Sequence, residues 1–307
     1  MKQQLKYIIF CLTCLFCFAS CQTEIDIELP DYKDAIVIEG YIENGKPPMV
    51  MLTKSIPYFA PIDLETLMDK VMIVDAKVTV SSNTGESTEL HLQLMEEAPF
   101  GIAFTNANLI GECGKDYTLT VEYDNKVYTS KTSIVHTFDL DSIWLQPFGT
   151  EKDSVRTVRC QFTDNAATVD YYQFSVKVSG EKVKDRLWAF SLPIVADDKL
   201  FNGLTFNYEI VRTSPSTLFA FALSEEERGD YFRPYYKPGD TIYAKRSLMD
   251  YNSYRFWSTA ASEIGFGMSA FMSPPPIETN IKCLSGDKVL GVWCGYASKV
   301  DTLIYEK

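Results

Sequence analysis

The side chains that could do chemistry in this chain are its thiols, two histidines, its carboxylates and one run of crowded aromatic rings. A zinc site needs Cys or His at short, regular spacing, as in His-Glu-x-x-His or Cys-x-x-Cys. His91 and His136 have no such neighbours and read as a solvent-facing strand residue and a linker residue. No Gly-x-Ser-x-Gly elbow, phosphate loop or dinucleotide fingerprint occurs, so neither a serine hydrolase of that kind nor a phosphate cradle has its carrier. Glycoside hydrolysis needs two facing carboxylates, and nothing among the 41 acidic residues marks a pair. Glu225-Glu226-Glu227 reads as a solvated charge run. Asp164-Asn165 with Asp170, and Asp197-Asp198, carry oxygens that calcium could use, but their spacing fits no calcium loop and turns account for them. The rings are Tyr231, Phe232, Tyr235 and Tyr236, four within six residues and followed by Lys237-Pro238-Gly239-Asp240. Exposed rings with polar tips suit sugars or protein surfaces, which makes these four a candidate contact surface. The plainer reading is that half of them are core and Pro238-Gly239-Asp240 sets a turn. No cofactor and no metal is implied, and the expectation is a protein without enzymatic activity.

The thiol of Cys21 has a different setting. Lys2 and Lys6 open the chain, an apolar run spans Tyr7 to Phe18, and Ala19-Ser20-Cys21 follows. A charged start, an apolar middle and small residues at the cut are the parts of a secretory signal. The run is shorter than the ~20 residues that cross a bilayer as a helix. Ala19-Ser20-Cys21 resembles the lipobox of bacterial lipoproteins, with Phe18 where Leu is usual. The resemblance implies cleavage between Ser20 and Cys21, a diacylglycerol on the Cys21 sulfur and an acylated amino terminus. An ordinary signal peptide with a chance cysteine is the alternative. Residues 1–20 are thus read as signal peptide, and Cys11, Cys14 and Cys17 as apolar residues of the leader.

Without Lys2 and Lys6 the remaining chain holds 27 basic against 41 acidic residues, a net charge of −14. Nucleic acid is an unsuitable partner for such a surface, because binding it requires clustered Lys and Arg. Attachment to the outer membrane would come from the acyl chains, at ~0.8 kcal/mol per buried methylene. Residues 21–32 carry Glu24, Asp26 and Glu28 and are expected as a lipidated acidic tether. Acids just behind the lipid cysteine resemble the export tether that places lipoproteins of Bacteroidota on the outer face of the outer membrane. That favours surface display over the periplasmic face, with a solvated linker as the alternative. Cys113, Cys160, Cys283 and Cys294 remain. A Cys283–Cys294 bridge across Leu284-Ser285-Gly286-Asp287 conflicts with the register of a tight hairpin, because the α-carbons must lie within about 7 Å. Buried free thiols are the favoured state.

The elements that must position these residues are nearly all strands. Val, Ile, Thr, Tyr and Phe recur in short alternating runs punctuated by Gly, Pro, Asn and Asp, the pattern of a mainly β protein. Strands are expected at 35–42, 50–55 and 76–81. A hairpin through Asn83-Thr84-Gly85-Glu86 returns over 87–94. Leu64 to Val71 is the candidate for a short helix. Gly114-Lys115-Asp116-Tyr117, before an alternating run, predicts a corner in which Tyr117 packs inward while its hydroxyl bonds backbone. Tyr123 to Thr132 pairs back through Asp124-Asn125-Lys126. These strands make residues 33–135 an expected immunoglobulin-like β-sandwich. A break at Val135 to Asp139 separates it from a second β-rich domain, 136–307. That domain has strands near 157–163, 171–178, 204–212, 240–248 and 289–296. Its helix opens near Asp250, with Tyr254, Trp257, Ala261 and Ile264 on one face.

Taken in order, several segments resemble the Bacteroidota outer-membrane lipoprotein family known as domain of unknown function 4249. They are the lipid cysteine with its acidic start, Val37 to Gly45, Leu52-Thr53-Lys54-Ser55, Gly114 to Val121, Leu200-Phe201-Asn202-Gly203, Tyr235 to Asp240, Tyr254-Arg255-Phe256-Trp257 and Thr279-Asn280-Ile281. Gly291-Val292-Trp293 stands where relatives tend to show a Gly-Tyr-Phe turn. The resemblance implies an accessory lipoprotein beside a TonB-dependent transporter, with no catalytic residues to carry over. The expected function is therefore ligand binding or scaffolding at that transporter. A surface adhesin or structural subunit is the alternative, and a glycan-processing hydrolase a third.

Overall fold

Alternating side chains build the strands that the chain lays down in order. The computed structural model describes residues 35–56, 71–95, 101–148, 155–179, 189–190, 195–212, 235–266 and 275–306. The first strands are β1 (Ile36–Glu43), β2 (Met49–Lys54), β3 (Lys77–Ser82), β4 (Ser87–Leu94), β5 (Ile102–Thr105), β6 (Asp116–Tyr123) and β7 (Lys126–Ser133). Next come β8 (Ser142–Pro147), β9 (Arg156–Thr163), β10 (Tyr171–Val178), β11 (Ala189–Phe190), β12 (Ala196–Asp197), β13 (Thr205–Ile210) and β14 (Thr241–Met249). Helix α1 (Tyr251–Phe266), β15 (Lys282–Cys283) and β16 (Val289–Ile304) complete the set. The fold is mainly β, and α1 is the one helix among the described residues. None of those residues forms a helix long and apolar enough to cross a membrane. The short helix expected at Leu64 to Val71 lies almost wholly outside them.

The first sandwich forms because β4 changes sheets along its length. Ser87–Leu90 pair with β3, and His91–Leu94 pair with β5. One layer therefore runs β4-β3-β6-β7-β15 and the other β4-β5-β2-β1-β16. Between them lie Ile38, Ile42, Val50, Leu52, Val78, Leu119 and Ile134. Trp293 of β16 joins the layers, fully buried, its indole N–H donating to the Tyr117 carbonyl at 3.1 Å. The Tyr117 corner forms as the sequence predicts, with the Glu112 N–H donating to the phenolic oxygen at 2.8 Å. Asp124 and Asn125 both adopt positive φ, the two-residue geometry that closes a hairpin without splaying its strands.

Strand β16 is longer than the alternating run that announces it, and it changes the expected division of the chain. Val289–Tyr296 run parallel to β1, while Tyr296–Ile304 pair with β14. The same strand thus completes the first sandwich and then enters the second. The division into 33–135 and 136–307 does not describe this arrangement, because the first sandwich takes Trp293 and its strand from the far end of the chain. Asp34–Lys307 group as one unit. Such close backbone approach is possible because Cβ atoms are missing. One at Gly291 (φ +103°) would collide with the Ile38 carbonyl, and one at Gly295 with that of Ser133.

The second sandwich sets β13-β9-β8 against β10, β14 and the end of β16. Its core is aromatic. Phe138 meets Phe162 and Tyr172 edge-on at 5.3 and 5.0 Å, and Phe174 stacks on Tyr208 at 4.6 Å. Helix α1 covers the other face of β16, where Val292, Cys294 and Tyr296 point away from Trp293. Asp250 caps it, accepting from the Ser253 N–H at 2.8 Å. Of the expected face, Tyr254 and Trp257 pack on the β16 cluster, Trp257 donating its indole N–H to the Tyr296 hydroxyl at 2.8 Å, while Ser253, Thr259 and Ala260 are the most buried residues of the helix. Asp250 also ties the helix start to β7 through Thr132 and Ser133.

The four cysteines of the folded part are unpaired. Cys283 lies opposite Tyr128 of β7, so the turn after it is no hairpin back onto residues 288–290. Cys160 and Cys294 are buried, and burial pushes both thiols up to about 12. Cys113 is exposed and Cys283 half-buried, so buried thiols describe two of the four.

Candidate functional site: an aromatic tip and a tyrosine shelf

The residues singled out for lipidation, Ser20 and Cys21, lie outside the described residues, as do Tyr231 and Phe232. Tyr235 and Tyr236 stand where β14 begins, at the end of the second sandwich farthest from β1. Tyr235 stacks on Phe148 at 6.3 Å and 24°. Tyr236 is 0% exposed and is removed from the contact surface. Its backbone pairs with Arg156 in both directions, at 2.9 and 2.8 Å, and the Arg212 guanidinium lies over its ring. Neighbouring residues of extended chain point to opposite faces, so two adjacent rings cannot both face outward there. The turn after them is built by Asp240, whose carboxylate accepts from the Lys237 N–H at 2.9 Å, and by Gly239 at φ +95°. Arg156 also lies over Tyr305, 5.5 Å from its centroid. The tip thus combines rings and guanidinium groups from five separate segments.

At the opposite end of this sandwich the paired acids turn out to be structural staples. Asp164 accepts from the Tyr172 hydroxyl and from the Gly203 N–H. Asp170 accepts from Thr168, and its own N–H donates to Asp198 at 2.8 Å. Burial raises the Asp170 carboxyl above its usual range. His136 lies 3.4 Å from Asp170, and His91 is exposed on β4. Among the described residues no three His, Cys, Asp or Glu side chains are placed to hold a metal.

Beside these staples lies a group that sequence reasoning missed. Tyr171 stacks on Tyr254 at 4.6 Å and 23°, and Tyr251 tilts against Tyr171 at 5.7 Å. The Tyr254 hydroxyl donates to Asp197 Oδ2 at 3.1 Å, and the Lys199 ammonium lies 2.6 Å from the same oxygen. Burial works to raise the Asp197 carboxyl, but Lys199 and Tyr254 outweigh it and hold the group below its usual range. Tyr251 is 55% exposed. The rings come from β10 and α1 and the ion pair from β12 and its turn, so no local pattern could have gathered them. The i, i+3 spacing of Tyr251 and Tyr254 was the one available signal.

Two sandwiches sharing a strand, with carboxylates used as staples and aromatic groups at the surface, define a two-module β protein. The chain belongs to the family described as domain of unknown function (DUF4249), whose match covers residues 22–302. A search of curated proteins finds no match.

Proposed function

We propose that this protein is a non-enzymatic lipoprotein of the outer membrane, anchored through Cys21. It acts as a ligand-binding or scaffold partner of a TonB-dependent transporter, as the resemblance to Bacteroidota lipoproteins suggests. The observation that carries the reading is the course of β16. Its 16 residues, at ~3.3 Å each, run about 50 Å through both modules. Strand β1 is parallel to it and begins at the Val289 end, whereas the aromatic tip precedes β14, which begins at the Ile304 end. A lipid on Cys21 would put the membrane on the β1 side of this arrangement and leave Phe148 and Tyr235 at the far end of the second sandwich, which supports a docking role.

The test is purification of the tagged protein from native membranes after mild cross-linking, with metabolic labelling by palmitate. A TonB-dependent transporter is expected to co-purify, and label is expected in the wild type but not in Cys21→Ala. Replacing Phe148 and Tyr235 together by Ala should lower transporter recovery severalfold while leaving the label in place. Recovery without any transporter would overturn the partner assignment, and an unlabelled wild type would overturn the anchor.

A further inference from the structure

We propose that Tyr171, Tyr251 and Tyr254, with Asp197 and Lys199 along their edge, form a binding site for a neutral oligosaccharide. A pyranose ring presents a face of C–H bonds and a rim of hydroxyls. The C–H face suits the electron-rich face of an aromatic ring, and the rim needs an acceptor and a donor held at fixed positions. The shelf offers all three. Tyr251 gives the exposed ring, Asp197 a carboxylate kept ionised by its neighbours, and Lys199 an ammonium whose side chain is 74% exposed. The parts are ordered before any ligand arrives, which removes part of the entropic cost of binding. Tyr254 is pinned through its hydroxyl to Asp197, Tyr171 is stacked on Tyr254, and Tyr251 is the first residue of a capped helix.

Geometry decides against the other ligands that aromatic clusters take. A cage for a quaternary ammonium surrounds an open centre with rings, whereas Tyr171 and Tyr254 are in face contact at 4.6 Å and leave no centre between them. A polyanion would meet the Asp197 carboxylate, with the buried Asp170 and Asp198 behind it, on a protein of net negative charge. A flat, uncharged ligand with hydroxyls at its edge is the class that remains. This site is separate from the tip and does not depend on the association with a transporter.

The experiment uses the full-length lipoprotein in a detergent without a sugar headgroup. It is titrated with neutral cello-, malto-, manno- and xylo-hexasaccharides, with phosphocholine and with an oligogalacturonate as the charged comparison. Saturable binding of at least one neutral hexasaccharide is expected by tyrosine fluorescence and by saturation-transfer NMR. Tyr251→Ala should weaken it at least tenfold and Asp197→Asn severalfold, with the melting temperature of Tyr251→Ala unchanged. Tyr235→Ala, at the tip, should bind as wild type does. The proposal is overturned if no neutral hexasaccharide saturates, if Tyr251→Ala binds like the wild type, or if phosphocholine or the oligogalacturonate binds in their place. Transporter co-purification is read separately, so failure here leaves that assignment intact.

Discussion

Glu43 is a carboxylate at 4% exposure, placed where the two sandwiches meet. Lys46 and Lys245 lie 3.1 and 3.3 Å from its two oxygens. Burial pushes its carboxyl up, yet the two lysines outweigh burial and hold it below its ordinary value of 4.5. A carboxyl depressed in the folded state stabilises the protein above its unfolded pKa and loses that contribution as pH falls through the folded value. Glu43→Gln keeps the shape and removes the titration. The stability gap between the two proteins, measured by urea unfolding, should be full at pH 7 and narrow below about pH 4.5. A gap that stays constant with pH would assign the loss to packing alone. The sequence displayed single residues of this kind unevenly. Tyr117 was legible because its corner is local, a turn glycine followed by a tyrosine and an alternating run. The joint at Glu43 was not, since Lys245 arrives from another module. Tyr236 was misleading: its neighbours announced a cluster of rings, but only the alternation of the backbone decides which of them face outward.

Among elements, α1 joins a periodic face to a clamp that no periodicity announces. Its aromatic stripe predicted a face with Tyr254 and Trp257, and both pack on the β16 cluster; the clamp is Asp250. One oxygen of that carboxylate caps the helix, and the other accepts from Thr132 Oγ1 at 2.7 Å and from the Ser133 N–H at 2.9 Å. Asp250→Ala should therefore cost more than a cap. Losing the cap costs about 1 kcal/mol, and stranding buried donors on β7 adds about 1–3 kcal/mol. Asp250→Asn should recover the first part and little of the second, because its amide nitrogen cannot accept. Urea unfolding of both variants separates the terms. If Asn and Ala are equally destabilised, the cap is not independent of the clamp. Hairpins such as β3–β4 and β6–β7 were readable, since turn chemistry and alternation lie together in sequence. The sheet change within β4 and the full length of β16 were not. Gly291 and Gly295 look like interruptions of a strand, and only the backbone they approach, Ile38 and Ser133, explains their presence.

For the whole molecule, the shared strand ties the first sandwich to residues that arrive last in the sequence. Parallel pairing of β1 with β16 has no local signal, so two consecutive domains were the natural expectation. The physical consequence is that residues 33–135 should not fold alone. They would lack Trp293, whose removal alone from a core costs about 3–5 kcal/mol. They would also lose the hydrogen bonds that β16 makes to β1 and to the Thr132 hydroxyl at 2.7 Å, and that of the Ser130 hydroxyl to the Asn280 carbonyl at 2.9 Å. Set against a total stability of about 5–15 kcal/mol for an ordinary domain, that loss is decisive. The 33–135 fragment is expected to show poor amide dispersion in NMR and no cooperative melting. Joining residues 279–296 to its C-terminus through a long Gly/Ser linker should restore both, and the same fusion carrying Trp293→Ala should not. The residue 34–307 unit should correspondingly unfold in one transition by circular dichroism and by tyrosine fluorescence, because neither sandwich can release β16 without dismantling the other. A fragment that folds without β16, or two separated transitions, would show that the sandwiches are independent after all.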